Sequence, residues 1–455
     1  MHPTQFCGLN NISSLYFIAF LLYIEAVLDM QSIREKGFRT LKWLERYAKI
    51  DMIYLARGSF WSTIGQVVSS LATFLMAIAF AHFVSKEAYG QYKYILSIGS
   101  ILATFTMTGL GLATFESVSR GFEGTLHYAF WQNIKWSVLF FIGAAGTSIY
   151  YFVNGNASLG ISILIVGCLW PIFSSTNFYS SYLTAKKDFR RIAIYFTIIG
   201  NLFPYLCLLL TIMRTSNPVV LVFVYFASNA LIGLILYQRI VKIYKPNNKV
   251  DPNMMTYSKH LSLISILGGF SDNIDQILVF HFIGPVQLAI YNFATAIPNQ
   301  IKGPIQNLGN LISPKFTERS DKEIKAGMSN KYMLLFITSV VFIATYWITA
   351  PYIFQIFFPK YMSSVFYSQI FSLSLLYMFS IPANAYLSAK KKIKEQYINS
   401  ISGVIVQMIL LTMGIMWWGL IGLVIARVII RLVWAIIVII LYNKASINPE
   451  PVLTN

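Results

Sequence analysis

Two acids, Asp272 and Asp275, stand near the middle of His260 to Ile283, an apolar stretch long enough to cross a bilayer. An ionised side chain at the bilayer centre costs at least about 2.5–3.5 kcal/mol on insertion scales, so it requires a partner or a wet cavity. Three bases occupy similar apolar surroundings: Lys302, Arg427 and Arg431. Arg427 and Arg431 are four residues apart and share one helix face. Two acids against three bases leave one positive charge over, which suits an anionic ligand. The competing reading is a self-neutralising cluster that only locks two helices together. Positions about 200 residues earlier, such as Thr73, Met76, Ala103, Ala227 and Leu231, are uncharged, so this chemistry belongs to the second half of the chain alone. Two weaker candidates flank apolar segments. Arg57 is either a membrane-edge anchor or a ligand for a lipid phosphate, and Glu116 either an interfacial acid or a proton acceptor.

Other chemistry is hard to place. The sequence has no Gly-x4-Gly-Lys-Ser/Thr phosphate loop, no His-Glu-x-x-His, no Cys-x-x-Cys and no Gly-x-Ser-x-Gly. His2, His82, His127, His260 and His281 are scattered, and the three cysteines show neither metal spacing nor pairing. No metal site or cofactor is expected.

The elements that must hold these charges are membrane helices. Of 455 residues, 56% are hydrophobic and 11% charged, with mean hydropathy +0.61, whereas soluble domains carry about 25% charged residues. Twelve apolar segments of about 20 residues follow from Ser59: 59–81, 92–115, 134–153, 159–183, 192–213, 218–238, 260–283, 287–311, 332–357, 363–388, 397–416 and 418–442. Ahead of them lie a marginal apolar run, Ile12 to Leu28, and a basic stretch, 31–57, that reads as a helix on the membrane surface. Residues 1–29 are expected to be an upstream extension, with Met30 and Met52 both able to start the chain.

The basic residues set the topology. Of 35 Lys and Arg, 28 fall in the 31–57 stretch, in alternate loops and at Lys444, all on one side of the twelve segments. The other side holds Lys86, Lys93, Arg214 and Lys360. By the positive-inside rule the basic side is cytoplasmic, with both ends of the core inside. That accounts for a net charge of +18 without nucleic acid.

The core is also doubled. Tyr182-Leu-Thr-Ala-Lys-Lys187 returns as Tyr386-Leu-Ser-Ala-Lys-Lys391, 204 residues later. His82-Phe-Val returns as His281-Phe-Ile, and Tyr92 as Tyr291, both at an offset of 199. Six segments per copy preserve orientation, so the copies are parallel repeats. The expected organisation is an N-terminal extension 1–58, a first lobe 59–238, a cytoplasmic linker 239–259, a second lobe 260–442 and a tail 443–455. The fold class is an all-α polytopic membrane protein with a central cavity between two six-helix lobes.

Arg57-Gly58, Phe83-Val-Ser-Lys-Glu-Ala-Tyr-Gly-Gln-Tyr92, Gly109-Leu-Gly111, Asp275-Gln-Ile-Leu-Val279, Gly284 and Ala289-Ile-Tyr291 resemble the Wzx-type O-antigen flippases. These belong to the polysaccharide-transport branch of the multidrug/oligosaccharidyl-lipid/polysaccharide exporter superfamily, and the likeness runs from about residue 53 to 442. It implies a bacterial inner-membrane protein that carries undecaprenyl-diphosphate-linked oligosaccharide to the periplasmic leaflet by alternating access. It further implies coupling to H+ or Na+ and work alongside an O-antigen polymerase and a chain-length regulator. Asp272, Asp275 and Glu116 would then be cation-coupling acids, and Arg57, Lys302, Arg427 and Arg431 would hold the diphosphate. The chain departs from the pattern at Arg427 and Arg431, where a guanidinium competes with a bound cation for the acids. The alternatives are a multidrug exporter of the same superfamily, an O-antigen polymerase, for which the long periplasmic loop is lacking, and a structural scaffold.

Overall fold

The computed structural model describes residues 52–318, 321–390 and 393–447, and all their regular structure is helical. The N-terminal extension up to residue 51, with the Ile12–Leu28 run and most of the basic stretch, lies outside the described residues. By compactness the chain divides into Met1–Gln66 and Val67–Asn455. In the first unit residues 52–66 are helical; the second contains the remaining helices.

In chain order the helices are α1 (Met52–Phe83), α2 (Lys86–Ala103), α3 (Leu110–Ser119), α4 (Thr125–Val153), α5 (Ala157–Thr176), α6 (Phe178–Ala185) and the short α7 (Phe189–Arg191). A π-helical stretch, Ile192–Ile199, leads into α8 (Gly200–Ile212), followed by α9 (Pro218–Tyr244). The second repeat comprises α10 (Met254–Phe282), α11 (Pro285–Glu318), α12 (Asp321–Ala326), α13 (Met328–Phe357), α14 (Ser364–Ser372), a 3-10 segment (Leu373–Ser380), α15 (Ile381–Ala389) and α16 (Ile393–Ile447). Helices dominate because a bilayer leaves backbone polar groups no partner but one another.

Eight helices among the described residues are long and apolar enough to cross a membrane by length and composition. They include seven of the twelve expected segments singly, and an eighth, Ile401–Lys444, that merges the last two. At 44 residues this helix would measure about 66 Å if straight, twice the hydrocarbon thickness. It is not straight: Gly419 breaks it at φ 58°, ψ −135°. A Cβ on Gly414 would lie 2.6 Å from the carbonyl oxygen of Gly422, so the two arms fold back on each other. Trp417 and Trp418 stand exposed at the tip. The three remaining segments depart from plain apolar helices. The second is broken between α2 and α3, and the seventh and eighth, α10 and α11, carry the polar residues discussed below. Pro204 causes a subtler departure. Its ring excludes the regular bond one turn back, and just ahead of it the Gly200 N–H reaches five residues back to the Tyr195 carbonyl.

The sequence echoes mark matching joints. Tyr182 is fully buried on α6 and meets Tyr244, the last residue of α9, edge to face at 5.5 Å. Tyr386 on α15 meets Tyr442 of α16 in the same way at 4.9 Å. In each repeat, therefore, a tyrosine seats the basic end of the fourth helix against the sixth.

The buried core is distributed unevenly. One cluster joins both repeats at the end away from the basic loops, with Phe80, Tyr89, Tyr92 and Phe140 from the first and Phe293, Phe354, Phe358 and Tyr361 from the second. Tyr89 packs on Phe293 at 5.0 Å, Phe74 on Phe357 at 5.3 Å, and the Lys360 ammonium donates to the His82 carbonyl at 2.7 Å. At the basic end the described clusters are separate. One holds Leu110, Leu126, Tyr182, Ile240 and Met254, the other Phe316, Ile324, Tyr386 and Tyr442. Both repeats thus share one core away from the basic loops, while at the basic end the described residues form two cores, the first of which includes the start of α10.

Loop carboxylates pin the basic end of the first repeat. Glu123 accepts from the Tyr182 hydroxyl at 3.1 Å and from Lys186. Asp188 accepts from the Tyr244 hydroxyl at 2.6 Å and from Arg191 at 2.7 Å. Partial burial works against ionisation of both acids, but these bonds prevail and hold both below the usual carboxylate range. A depressed folded-state pKa adds stability above the unfolded value of about 4, and that stability is lost as pH falls through the folded value. Acidification below pH 4 should therefore expose the loops at 120–125 and 186–191 to protease before the helices melt, as read by limited proteolysis against circular dichroism. Tyr182→Leu and Tyr386→Leu should each lower the thermal unfolding temperature in detergent, since an edge-to-face pair adds about 0.5–1.5 kcal/mol beyond its buried area.

Candidate functional site

Two hairpins bring the intramembrane charges together. α10 and α11 are joined by a tight turn at Gly284, which leaves Asp275 and Tyr291 nearly equidistant from the bend and so level with each other. The turn at Gly419 returns the second arm of α16 along the first, carrying Arg427 toward α10. The Asp275 side chain is buried, and the Tyr291 hydroxyl donates to its Oδ2. Arg427 donates to the same oxygen from Nε at 2.9 Å, and a terminal nitrogen stands 2.8 Å from it as an ion-pair contact while donating to the Ser271 carbonyl at 3.4 Å. Oδ1 accepts the Gln276 N–H at 2.9 Å. Oδ2 is crowded by Tyr291 and Arg427, whereas Oδ1 takes a single bond against its roughly two acceptor positions.

Arg431 has different company. One guanidinium nitrogen donates to the Ser374 hydroxyl at 2.7 Å and another to the Asn299 side-chain oxygen at 2.9 Å. Its planar group sits 4.7 Å from the Phe371 ring centre and 5.9 Å from that of Tyr377. All these partners are neutral, and among the described residues no carboxylate lies within ion-pair distance of it. Beside Asp275, Ser271 and Gln407 bond reciprocally: the Ser271 hydroxyl donates to the Gln407 side-chain oxygen at 2.6 Å, and the Gln407 amide donates to the Ser271 carbonyl.

The remaining candidates fall apart from this centre or outside what is described. Asp272 is exposed, one turn before Asp275. Glu116, at the end of α3, accepts from the Tyr257 hydroxyl at 2.9 Å, a contact near the basic end. Arg57 and Lys302 lie in α1 and α11, but their side chains are not among those described. Of the four intramembrane charges whose side chains are described, Asp275 and Arg427 are paired, Asp272 is exposed and Arg431 meets neutral groups. The sequence reading missed Tyr291, Asn299, Ser271 and Gln407 as site residues. Tyr291 was recoverable, because counting outward from Gly284 sets it opposite Asp275.

A family model described as "Polysaccharide biosynthesis protein" matches residues 55–311. No curated protein matches the chain. Among solved structures, the chain is similar to an inward-facing multidrug resistance MATE family transporter of the MOP superfamily, with TM-score 0.64 at 13% identity, covering 86% of this chain and 98% of that one. The MATE multidrug transporter DinF-BH gives TM-score 0.63 at 14% identity, covering 86% and 95%. A MOP superfamily transporter from Pyrococcus furiosus, described as having a binding pocket of reverse polarity, gives 0.56 at 14% identity, covering 87% and 96%. At these identities the likeness establishes the fold.

A buried pair broken on one side leaves an uncompensated charge, at about 3–5 kcal/mol. Asp275→Asn or Arg427→Gln alone should thus reduce the protein recovered from membranes, and the double variant should restore it. Arg431→Gln should leave recovery near that of the parent, because it strands no charge. Quantitative blotting of membrane fractions distinguishes these outcomes.

Proposed function

Because the chain belongs to the polysaccharide biosynthesis protein family, we propose that it moves a lipid-linked oligosaccharide across the membrane without covalent chemistry. The substrate is an undecaprenyl-diphosphate-linked O-antigen or related repeat unit, taken from the cytoplasmic to the periplasmic leaflet of a bacterial inner membrane. The task is to carry a polar glycan and a diphosphate across hydrocarbon while the polyprenyl tail stays in lipid. A space between two lobes, opening to each side in turn, performs it.

The observation that carries this reading is Arg431. A guanidinium oriented by Asn299 and Ser374, with no acid among the described residues to neutralise it, is suited to charge-assisted bonds with a phosphate. A site for cationic drugs would place an acid there, which argues against a multidrug exporter. The separate cores at the basic end support the reading of a cytoplasm-facing state, in which the diphosphate headgroup enters from the inner leaflet. Coupling to H+ or Na+ operates through Asp275, since a proton or sodium ion competes with Arg427 for its oxygens. The exposed Asp272 lies one turn away as the first acid that an entering cation meets. Each ligand shifts the balance of states only by its difference in affinity between them.

Deleting the protein should cause a single lipid-linked repeat unit to accumulate on the cytoplasmic face. Repeat units accessible outside but unpolymerised would indicate a polymerase instead. Arg431→Ala should cut translocation of a diphosphate-linked glycan into proteoliposomes at least about tenfold, the loss of one charged hydrogen bond of about 1.5–3 kcal/mol, with insertion unchanged. Cysteines placed at Asn154 and Lys360 should react with impermeant reagent from the periplasm only, and labelling from the cytoplasm alone would reverse the topology.

A further inference from the structure

The boundary between the lobes does not coincide with the linker. The start of α10 is fastened to the first repeat. Asp251, buried just ahead of it, accepts from the Ser117 hydroxyl at 2.8 Å and from Arg120 at 2.5 Å. Tyr257 donates to Glu116 at 2.9 Å, and the Ser262 hydroxyl accepts the Gly109 N–H at 2.9 Å. A Cβ on Gly109 would lie 2.5 Å from the Ser258 carbonyl oxygen, so α3 and α10 touch through backbone. Met254 is buried within the first repeat's own basic-end cluster. Further along the same helix the attachments change sides. Ser271 bonds Gln407, and Asp275 bonds Arg427 and Tyr291, all in the second repeat.

Gly268 and Gly269 lie between the two sets of bonds. A Cβ on Gly268 would meet nothing within 4 Å, whereas one on Gly269 would lie 2.3 Å from the Thr104 side chain. Thr104 is the residue at which α2 ends and the break before α3 begins. Two weak points of the backbone therefore face each other, a gap in one helix and a pair of glycines in the other.

We propose that α10 is a strap shared by the two lobes, anchored to the first at Asp251 and to the second at Asp275, and that it bends at Gly268–Gly269 when the lobes move. Bonded on both sides, the helix cannot follow either lobe as a rigid rod without tearing one set of contacts. Here it is unbroken from Met254 to Phe282, so the unbent form is assigned to the state with separate cores at the basic end. The bent form accompanies the other state.

The test uses the full chain in proteoliposomes, free of native cysteines, with spin labels at Thr184 and Ser388. These exposed positions correspond in the two repeats at the basic end. Gly268→Ala adds a methyl into open space and favours the straight helix. It should shift the distance distribution about fivefold toward the state with separate cores, the ratio that the helical preference of Ala over Gly implies, without lowering the unfolding temperature. Asp251→Asn frees the start of the strap and should broaden the distribution instead. A distribution matching the parent's in either variant would overturn the proposal. The readout does not depend on what is carried, so it stands or falls separately from the substrate assignment.

Discussion

The pairing of Asp275 with Arg427 is the interaction on which the second repeat depends. Neither charge is tolerable alone in an apolar surround, and each satisfies the other only if α10 and the second arm of α16 lie at hydrogen-bonding distance. Tyr291 draws α11 into the same contact. Three helices are thus held by one carboxylate. The hairpin turns at Gly284 and Gly419 set the register that makes the contact possible. The oxygen that binds Arg427 also binds Tyr291, so a group that displaced the arginine there would loosen α16 from α10.

Much of this was legible in the sequence, for reasons that hydropathy and charge make plain. Apolar run length reports the cost of transfer into hydrocarbon, and it located helices such as α4, α9 and α13 to within several residues. The Tyr182 and Tyr386 echoes proved to be matching joints, because a buried aromatic pair constrains its neighbours closely enough to survive in both copies. Helix continuity was less visible. The break after Ala103 costs little in hydropathy, since threonines there bond back to nearby carbonyls at 2.7 Å. The final segments, separated by one residue on paper, are one hairpin with a glycine at its bend.

The partners of the charges were the least legible part. Arg427 and Arg431 share a helix face, which made them look interchangeable, but one turn displaces them by about 6 Å along the axis. That is twice a hydrogen bond's length. One reaches Asp275, and the other reaches Asn299, Ser374 and two rings. Spacing gives the face of a helix, whereas the identity of a buried partner depends on which helix stands at that height. Only the hairpin turns supply that information.

The exposed tryptophans at the tip of α16 have a consequence for bilayer depth. Indole rings settle at the headgroup boundary, and Trp417 and Trp418 immediately precede the bend residue Gly419, from which both arms descend. Arg427 follows the bend residue Gly419 by eight positions, which places it about 12 Å beneath that boundary, somewhat short of the midplane. Because the tryptophans ride with the lipid surface, a thicker or thinner membrane carries the whole hairpin with it. The ion pair therefore keeps a constant distance from the headgroups on its own side, while variation in membrane thickness falls on the opposite ends of the helices.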